Sequence, residues 1–388
     1  MKAPQRLLCL LLTFLALPAF AEDEGEDVMA RQRWEHERRA YPNREIPRGA
    51  RAEAVRQLEA MRSDRHSLAA LPGGWEPIGP APIEEGQVLG GQRARPVSGR
   101  VSSFAVDPRD PRHWIAGAAY GGVWRSTDAG ASWATTTDSQ ETLAIGAVAF
   151  DPSTPGVLYA GTGEASFGGD SYLGAGLLKS TDSGRTWTLL AKERFTGSAF
   201  STIIVQPKVG STQTILAAVA RGTNQGAHRS TNGGADWELL SAGPATDLVQ
   251  HPDRPGSVIV AMGNPDGNAL NGVYRSSPEL SDPLSRFRAV PAPWSDFSEG
   301  RVGRISVALA PSMPDRLYVS IADVSNAQLL GLWYTDRIWA ADLKKEDWKA
   351  IDTSPTNRTL SDGTTVLGYC ASQCFYNLRL LVDRNDPD

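Results

Sequence analysis

The chain has 388 residues, 41% of them hydrophobic and 21% charged, with a formal net charge of −5 at pH 7. That length allows a large core and more than one domain, and the acidic balance gives no basic footprint for nucleic acid. His113, His228 and His251 are scattered and share no ligand spacing, so neither a metal site nor a cofactor is expected.

Residues 1–21 read as a secretory leader. Lys2 and Arg6 precede the apolar run Leu7–Leu17, and Ala19-Phe20-Ala21 fits a small-residue cleavage site. That run is short for a membrane span, and no later stretch is apolar enough to insert. The expectation is an exported protein, periplasmic or extracellular. Residues 22–73 then form a helical N-terminal extension. Glu22–Asp27 is an acidic run, Asp27–Arg39 suits a short polar helix, and Arg51–Arg62 carries Ala52, Val55, Leu58 and Met61 at threes on one face. Leu71-Pro-Gly-Gly74 closes the segment.

From residue 74 to 388 the texture is all-β, with short apolar runs and frequent Gly and Pro. An eight-residue pattern, S-x-[DN]-x-G-x-x-W, occurs three times: Ser126, Asp128, Gly130, Trp133; Ser180, Asp182, Gly184, Trp187; Ser230, Asn232, Gly234, Trp237. Its Asp or Asn accepts backbone N–H bonds, its Gly supplies a left-handed turn, and its Trp buries a large surface. Two further anchors recur five times. One is a strand ending in Pro: Pro108, Pro152, Pro207, Pro252 and Pro311. The other is a Gly-led strand opening at Gly122, Gly176, Gly226, Gly272 and Gly331. Between them lies a strand of small residues, such as Trp114–Ala119 and Leu158–Thr162. Four strands in about fifty residues is the size of a β-propeller blade, and small residues suit crowding near its axis. Blades are expected near 98–140, 141–195, 196–242, 243–295 and 296–355, the last two without the eight-residue turn.

A sixth unit is expected to begin near residue 376, with Leu380–Asp383 as its first strand and Trp75–Ile78 as a fourth strand for the last blade. On this reading the chain is the N-terminal part of a larger propeller. Cys370 and Cys374, with three residues between them, are expected to form a small disulfide in an oxidising compartment rather than bind metal, since no second Cys or His pair lies nearby. Asp266-Gly-Asn268 reads as a turn rather than a calcium loop, and Asn357-Arg-Thr359 is a glycosylation sequon.

The three boxes resemble the Asp-box, or BNR repeat, of sialidases, xyloglucanase-type glycoside hydrolases and the sortilin ectodomain. The resemblance covers Trp75–Asp388 and implies a propeller of four-stranded blades. Ser98-Gly-Arg-Val101, Ala119–Trp124, Tyr159–Glu164 and Gly368–Cys374 look like motifs of large exported sortilin-like or glycosyl-hydrolase-like bacterial proteins. A xyloglucanase-type site resembles two carboxylates flanking a glycosidic bond, one of them two residues before the Gly-Gly of the first repeat. Here Ala119-Tyr120 precede Gly121-Gly122, so that Asp is missing. A sialidase-type site resembles three Arg gripping a carboxylate. Arg100 and Arg301, each in Gly-Arg-Val at the head of an inner strand, are the candidates, with Arg304 close by.

Glu164 and Asp170 are the acidic candidates, in the Gly- and Ser-rich loop Gly161–Gly176. Tyr120, Trp124 and Trp333 could stack on sugar rings, although Trp124 and Trp333 also suit the gaps between blades. The expected function is a scaffold that binds a peptide, protein or glycan through Arg100, Tyr120, Glu164 and Arg301, with no catalytic residue assigned. The alternative is a glycoside hydrolase-like enzyme using Glu164, Asp170 and Arg301.

Overall fold

A computed structural model describes residue 34 and residues 37–42, 44, 49–63, 99–168, 170–277, 282–297, 300–354, 358–359, 365–366, 370 and 373–387. The leader, the acidic run, Trp75–Ile78, Ser98, Gly368 and Asn357 lie outside the described residues. The chain divides into Met1–Ile46 and Pro47–Asp388. In the first unit, residues 37–40 form a helical turn and the Arg38 guanidinium sits 4.6 Å from the Trp34 ring centre.

The second unit opens with α1 (Ala50–Ser63). Its first turn is fixed by Arg51, which donates to the carbonyls of Asp138 (3.1 Å) and Gln140 (3.3 Å). Ala52 is buried there, but Leu58 and Met61 are 46% and 58% exposed. The expected apolar face is therefore used only near the helix start, where the tether holds it.

Five four-stranded antiparallel meanders follow among the described residues. Blade 1 is β1 (Val101–Asp107), β2 (Asp110–Ala118), β3 (Gly122–Ser126) and β4 (Ala134–Thr135). Blade 2 is β5 (Ile145–Phe150), β6 (Leu158–Thr162), β7 (Leu177–Ser180) and β8 (Thr188–Leu190). A short helix, α2 (Lys192–Phe195), leads to blade 3: β9 (Ser198–Val205), β10 (Ile215–Gly222), β11 (Gly226–Ser230) and β12 (Glu238–Ala242). Blade 4 is β13 (Ala245–Gln250), β14 (Val258–Met262), β15 (Gly272–Ser276) and β16 (Phe287–Ala289). Blade 5 is β17 (Val302–Ala310), β18 (Met313–Asp323), β19 (Leu329–Thr335) and β20 (Lys349–Ala350). A hairpin, β21 (Arg358–Thr359) and β22 (Thr365–Val366), and a helical turn, α3 (Cys374–Asn377), complete the described elements.

The first strand of each blade packs beside the first strand of the next, so β1, β5, β9, β13 and β17 form the inner row. This is the arrangement of propeller blades. The core lies between blades rather than within them. Ile145, Leu158 and Leu178 of blade 2 pack on Ile115 and Val123 of blade 1, and Ile305, Val307 and Val319 of blade 5 on Ile259 and Val273 of blade 4. The small residues of the second strands answer this packing, not only crowding at the axis. A Cβ on Gly117 would lie 2.5 Å from Ile145 Cγ2, and one on Gly161 would lie 2.5 Å from Phe200 Cβ.

Each inner strand carries a β-bulge near its head. A bulge re-aims its extra residue. In blades 1, 3 and 4 that residue is a hydroxyl bonded to the next inner strand. Ser102 donates to the Ile145 carbonyl, Ser201 to that of Ala245 (2.7 Å), and Thr246 to that of Ile305 (2.7 Å). In blade 2 it is Gly146, where a Cβ would sit 1.9 Å from the Phe200 carbonyl oxygen. In blade 5 the bulge holds Gly303 and Arg304.

Residues 378–387 run beside blade 5 without entering a ladder. The Leu380 N–H bonds Ser306 Oγ (3.3 Å), and Leu378 is buried with Ala322 and Cys374. Leu380–Asp383 thus does not form the expected strand: no described strand pairs with it. Cys370 and Cys374 are disulfide-linked, with Cα atoms 5.2 Å apart.

The three eight-residue turns share one bonding scheme. The Ser hydroxyl at position one accepts from the Gly N–H at position five, at 2.9 Å in all three, and donates to the side chain at position three. Positions four and five are left-handed throughout, including Ala129 (φ 59°) and Ser183 (φ 64°). The third copy inverts one polarity. In the first two, a hydroxyl at position seven donates to the carboxylate at position three: Ser132 to Asp128 (2.5 Å) and Thr186 to Asp182 (2.6 Å). In the third, the Asn232 amide donates to the Asp236 carboxylate (2.8 Å). These bonds, led for Asp128 by the Ser132 hydroxyl and N–H, hold its carboxyl at about 2. Asp182 also falls to about 2, since the same contacts from Thr186 outweigh its desolvation.

Asn232→Asp should set two carboxylates against each other and cost about 1 kcal/mol. Adding Asp236→Ser should restore the chemistry of the first two turns and recover most of that loss. Urea denaturation of both single variants and the double variant checks this, and simply additive losses would refute it.

Candidate functional site

A cleft of about 150 Å³ opens at the heads of the inner strands. The bulge residues Ser102, Gly146 and Arg304 line it, with Arg100, Ser166 from the blade 2 loop, and Tyr376 and Arg379 from the C-terminal segment. The bulges thus serve two ends: they join the blades and set the floor of the cleft.

Ala165 and Ser166 of the loop between β6 and β7 contribute one wall, and the described residues of that loop are hydrogen-bonded at several points. Thr162 Oγ1 accepts from the N–H groups of Ala175 (2.8 Å) and Gly176 (2.9 Å) and donates to the Gly176 carbonyl (2.6 Å), closing the neck. The Gly163 N–H bonds the Ala144 carbonyl (2.7 Å), and its φ of +84° requires glycine. Arg221, at the end of β10, donates to the carbonyls of Ser166 (2.7 Å) and Glu164 (3.3 Å). Its guanidinium also lies 5.6 Å from the Phe167 ring centre.

Glu164 is fully buried. Arg100 grips it at two points, Nε to Oε1 at 2.6 Å and Nη2 to Oε2 at 2.8 Å. The same Nη2 lies 3.6 Å from Asp170. Both acidic candidates therefore converge on one guanidinium. Burial works against the charge on Arg100, but Glu164 and then Asp170 outweigh it and raise its pKa.

Arg301 does not join this group. It pairs with Asp323 at the head of blade 5, beside the Phe297 ring. The arginine that reaches the cleft is Arg304, which sequence reasoning placed only as a neighbour. Arg304 is 2% exposed. It donates to the Tyr376 carbonyl (2.9 Å) and has its Nε without a hydrogen-bond partner. Burial and then the nearby Arg379 push its guanidinium down to about 9, still protonated at neutral pH. The tetrapeptide Gly-Arg-[Val/Ile]-Ser occurs at Gly99–Ser102 and Gly303–Ser306 and marks both cleft arginines.

Asp247 and Arg379 were also missed. Asp247 is buried and accepts from Ser306 Oγ (2.8 Å), Thr202 Oγ1 (3.1 Å) and the Val307 N–H (3.2 Å). Arg379 Nη1 lies 3.8 Å from it. Tyr120 is 44% exposed and stacks on Tyr172, with ring centres 3.9 Å apart. Trp333 is buried against Trp294 and Trp348 and fills a core gap. Trp124 is half-buried and bonds the Gly121 carbonyl (3.0 Å).

The blades and their cleft define a β-propeller protein. No family profile matches the chain. It is 31% identical to a xyloglucanase of Paenibacillus sp over 200 residues, which cover 42% of this chain and 18% of that protein. It is 26% identical to the xyloglucanase Xgh74A of Acetivibrio thermocellus over 263 residues, 57% of this chain and 29% of the relative. The aligned stretches thus span less than a third of either relative. Among solved structures, an ancestral GH74 enzyme aligns with 65% of this chain and 31% of its own, at 18% identity and a TM-score of 0.48. YCF48 from Cyanidioschyzon merolae aligns with 66% of this chain and 73% of its own, at 14% identity and a TM-score of 0.43. The chain is thus a β-propeller protein that is similar, over part of its length, to xyloglucanases. No described helix is long and apolar enough to cross a membrane.

Two variants test the wiring around the cleft. Arg100→Met strands the Glu164 carboxylate in the interior and should cost about 3 kcal/mol, at the low end for a buried pair because Arg100 is partly exposed. Glu164→Gln in the same chain should return much of it, as read by thermal unfolding. His228, on β11, is buried with its Nε2 bonded to the Asn224 carbonyl (2.8 Å) and its Nδ1 facing Arg194 (3.5 Å). Burial chiefly, aided by Arg194, pushes it down to about 4. The unfolded chain takes up this proton near pH 6.5 and the folded chain only near 4, so stability falls as pH drops through that window. The loss should be on the order of 3 kcal/mol. His228→Gln should remove its share of the slope between pH 6.5 and 4, leaving the shares of His113 and His251, which burial also lowers, and the transitions of lowered carboxylates such as Asp128 and Asp182.

Proposed function

We propose that residues 74–388 are an exported Asp-box propeller module that binds a peptide or glycan at this cleft without hydrolysing it. Residues 1–21 are its leader, and the repeated turns with Asp128, Asp182 and Asn232 are the Asp-boxes that stiffen its rim. The carrying observation is where the acids lie. Glycoside hydrolysis needs one carboxyl to give a proton and another to attack or activate water. Among the described residues the lining of this cleft contains no acidic side chain, and Glu164 and Asp170 both face Arg100. What the cleft offers is arginine, tyrosine and backbone, which suit binding. Ala119 also stands where the resemblance called for an acid.

The sequence likeness to xyloglucanases favours a second reading, hydrolysis through Glu164 and Asp170. Incubation of the full chain with xyloglucan, followed by a reducing-end assay, separates the two. The binding reading expects no release above the blank, together with retention of the chain on an immobilised glycan or peptide. Release that is abolished by Asp170→Asn would replace it with the hydrolase.

A further inference from the structure

We propose that the outward face of blade 1 is a dimer interface, on which a second copy of this chain docks with the same face. In the strand register Phe104 stands opposite Ala116, and Val106 opposite Trp114. The pairs that match Phe104 and Ala116 are Ile203 with Ala217 in blade 3, Leu248 with Val260 in blade 4 and Val307 with Val319 in blade 5. Each of these pairs turns toward the preceding blade and packs against it. Ile203, Leu248 and Val307 are accordingly 7%, 2% and 2% exposed, whereas Phe104 is 50% exposed. Among the described residues no blade precedes blade 1, so a face of the kind that the other blades bury is left open. Trp133 and Trp114 enlarge it. The matching tryptophan of the second turn, Trp187, is buried between blades 1 and 2, where its Nε1 donates to Thr136 Oγ1 (3.0 Å). Trp133 Nε1 donates instead to its own Gly130 carbonyl (3.0 Å), and Trp114 Nε1 to the Pro111 carbonyl (2.7 Å). Both indole N–H groups are therefore satisfied within blade 1. The rings of Phe104, Trp114 and Trp133, with centres 5.4 to 6.4 Å apart, form one apolar cluster. Exposed clusters of this kind mark interaction surfaces.

The other end of the inner row shows why the partner is a second copy meeting blade 1 with blade 1. There the chain covers itself. On the side of blade 5 away from blade 4, the Leu380 N–H bonds Ser306 Oγ (3.3 Å). The Pro387 carbonyl accepts from the Tyr318 hydroxyl and from Arg316 Nη1 (3.3 Å). A head-to-tail joint between copies must displace that segment, and it closes into a ring only at one particular rotation. Apposing two blade 1 faces about a twofold axis displaces nothing and closes at two chains. Charge permits it as well. Phe104, Val106, Trp114 and Ala116 are uncharged, and Asp110 and Arg112 at the edge pair with each other (3.4 Å), so no lone charge is buried. The three aromatic residues of both copies take roughly 500 Å² out of water, and Val106 with the strand margins brings the total to about 1,000 Å², the low end for a specific interface. The dimer is therefore a reversible one.

Sedimentation velocity of the full chain across the micromolar range tests this. The average mass should rise from one chain to two and stop there. Phe104→Lys and Val106→Lys each put on the face a charge that docking has to dehydrate, and each should weaken association tenfold or more. Leu381→Lys, at an exposed position on the far end of the row, should leave the dimer unchanged. If Phe104→Lys does not fold, as judged by circular dichroism, Val106→Lys decides alone. A single chain at every concentration would overturn the proposal and give the face to another stretch of this chain or to a foreign partner. Growth beyond two chains that Leu381→Lys suppresses would overturn it in favour of head-to-tail assembly. A dimer indifferent to a folded lysine variant of blade 1 would overturn it by placing the contact elsewhere.

Discussion

A blade cannot bury its own faces; it must be covered by the next one, and the closeness of that cover governs the rest of the molecule. Inner strands of neighbouring blades come near enough for a hydroxyl of one to bond a carbonyl of the other, or for a glycine to let the backbones touch. The residue that makes this contact is freed from its ladder by a bulge. Because each blade repeats the bulge at the same end, the extra residues gather at one end of the inner row. A fold whose joints lie there also has a natural place for a cleft. Blade 5 departs from the pattern by putting an arginine where the others put a small residue, and the chemistry of the cleft follows from that departure.

The wall of the cleft shows the same economy. A loop of glycines and serines would ordinarily be solvated, yet Glu164 is carried inside because Arg100 arrives from another blade to meet it. Thr162 and Arg221 then close the loop on carbonyls and N–H groups that would otherwise be left bare. The ion pair is thus a fastening between blade 1 and blade 2 as much as a feature of the site.

The repeat was legible in the sequence because its turns are local. Ser126, Asp128 and Gly130 bond one another within a few residues, so their identities announce the conformation. The four-stranded unit followed from the spacing of the Gly-led and Pro-ended strands. The convergence of Arg100 with Glu164 and Asp170 depends on neighbouring blades meeting, which no local pattern announces. Arg301 was misplaced because Gly-Arg-Val occurs in both blades, and which arginine enters the cleft is set by a bulge, not by a motif. Asp247 and Arg379 gave no local signal, since their partners lie scores of residues away. The strand expected at Leu380–Asp383 failed for a similar reason: a strand is defined by its neighbour.

The inverted third turn has a further consequence. Asn232 is followed by Gly233, the pairing in which an asparagine amide is most readily lost to hydrolysis, because the next N–H is unshielded by a side chain. That attack needs the Gly233 nitrogen to approach the Asn232 side chain. In the closed turn the side chain is tied by Ser230, by the Asp236 N–H and by the Asp236 carboxylate. The turn therefore protects its own weakest bond for as long as it stays shut. Slow chemical ageing at this one amide becomes a clock for how often the rim of blade 3 opens.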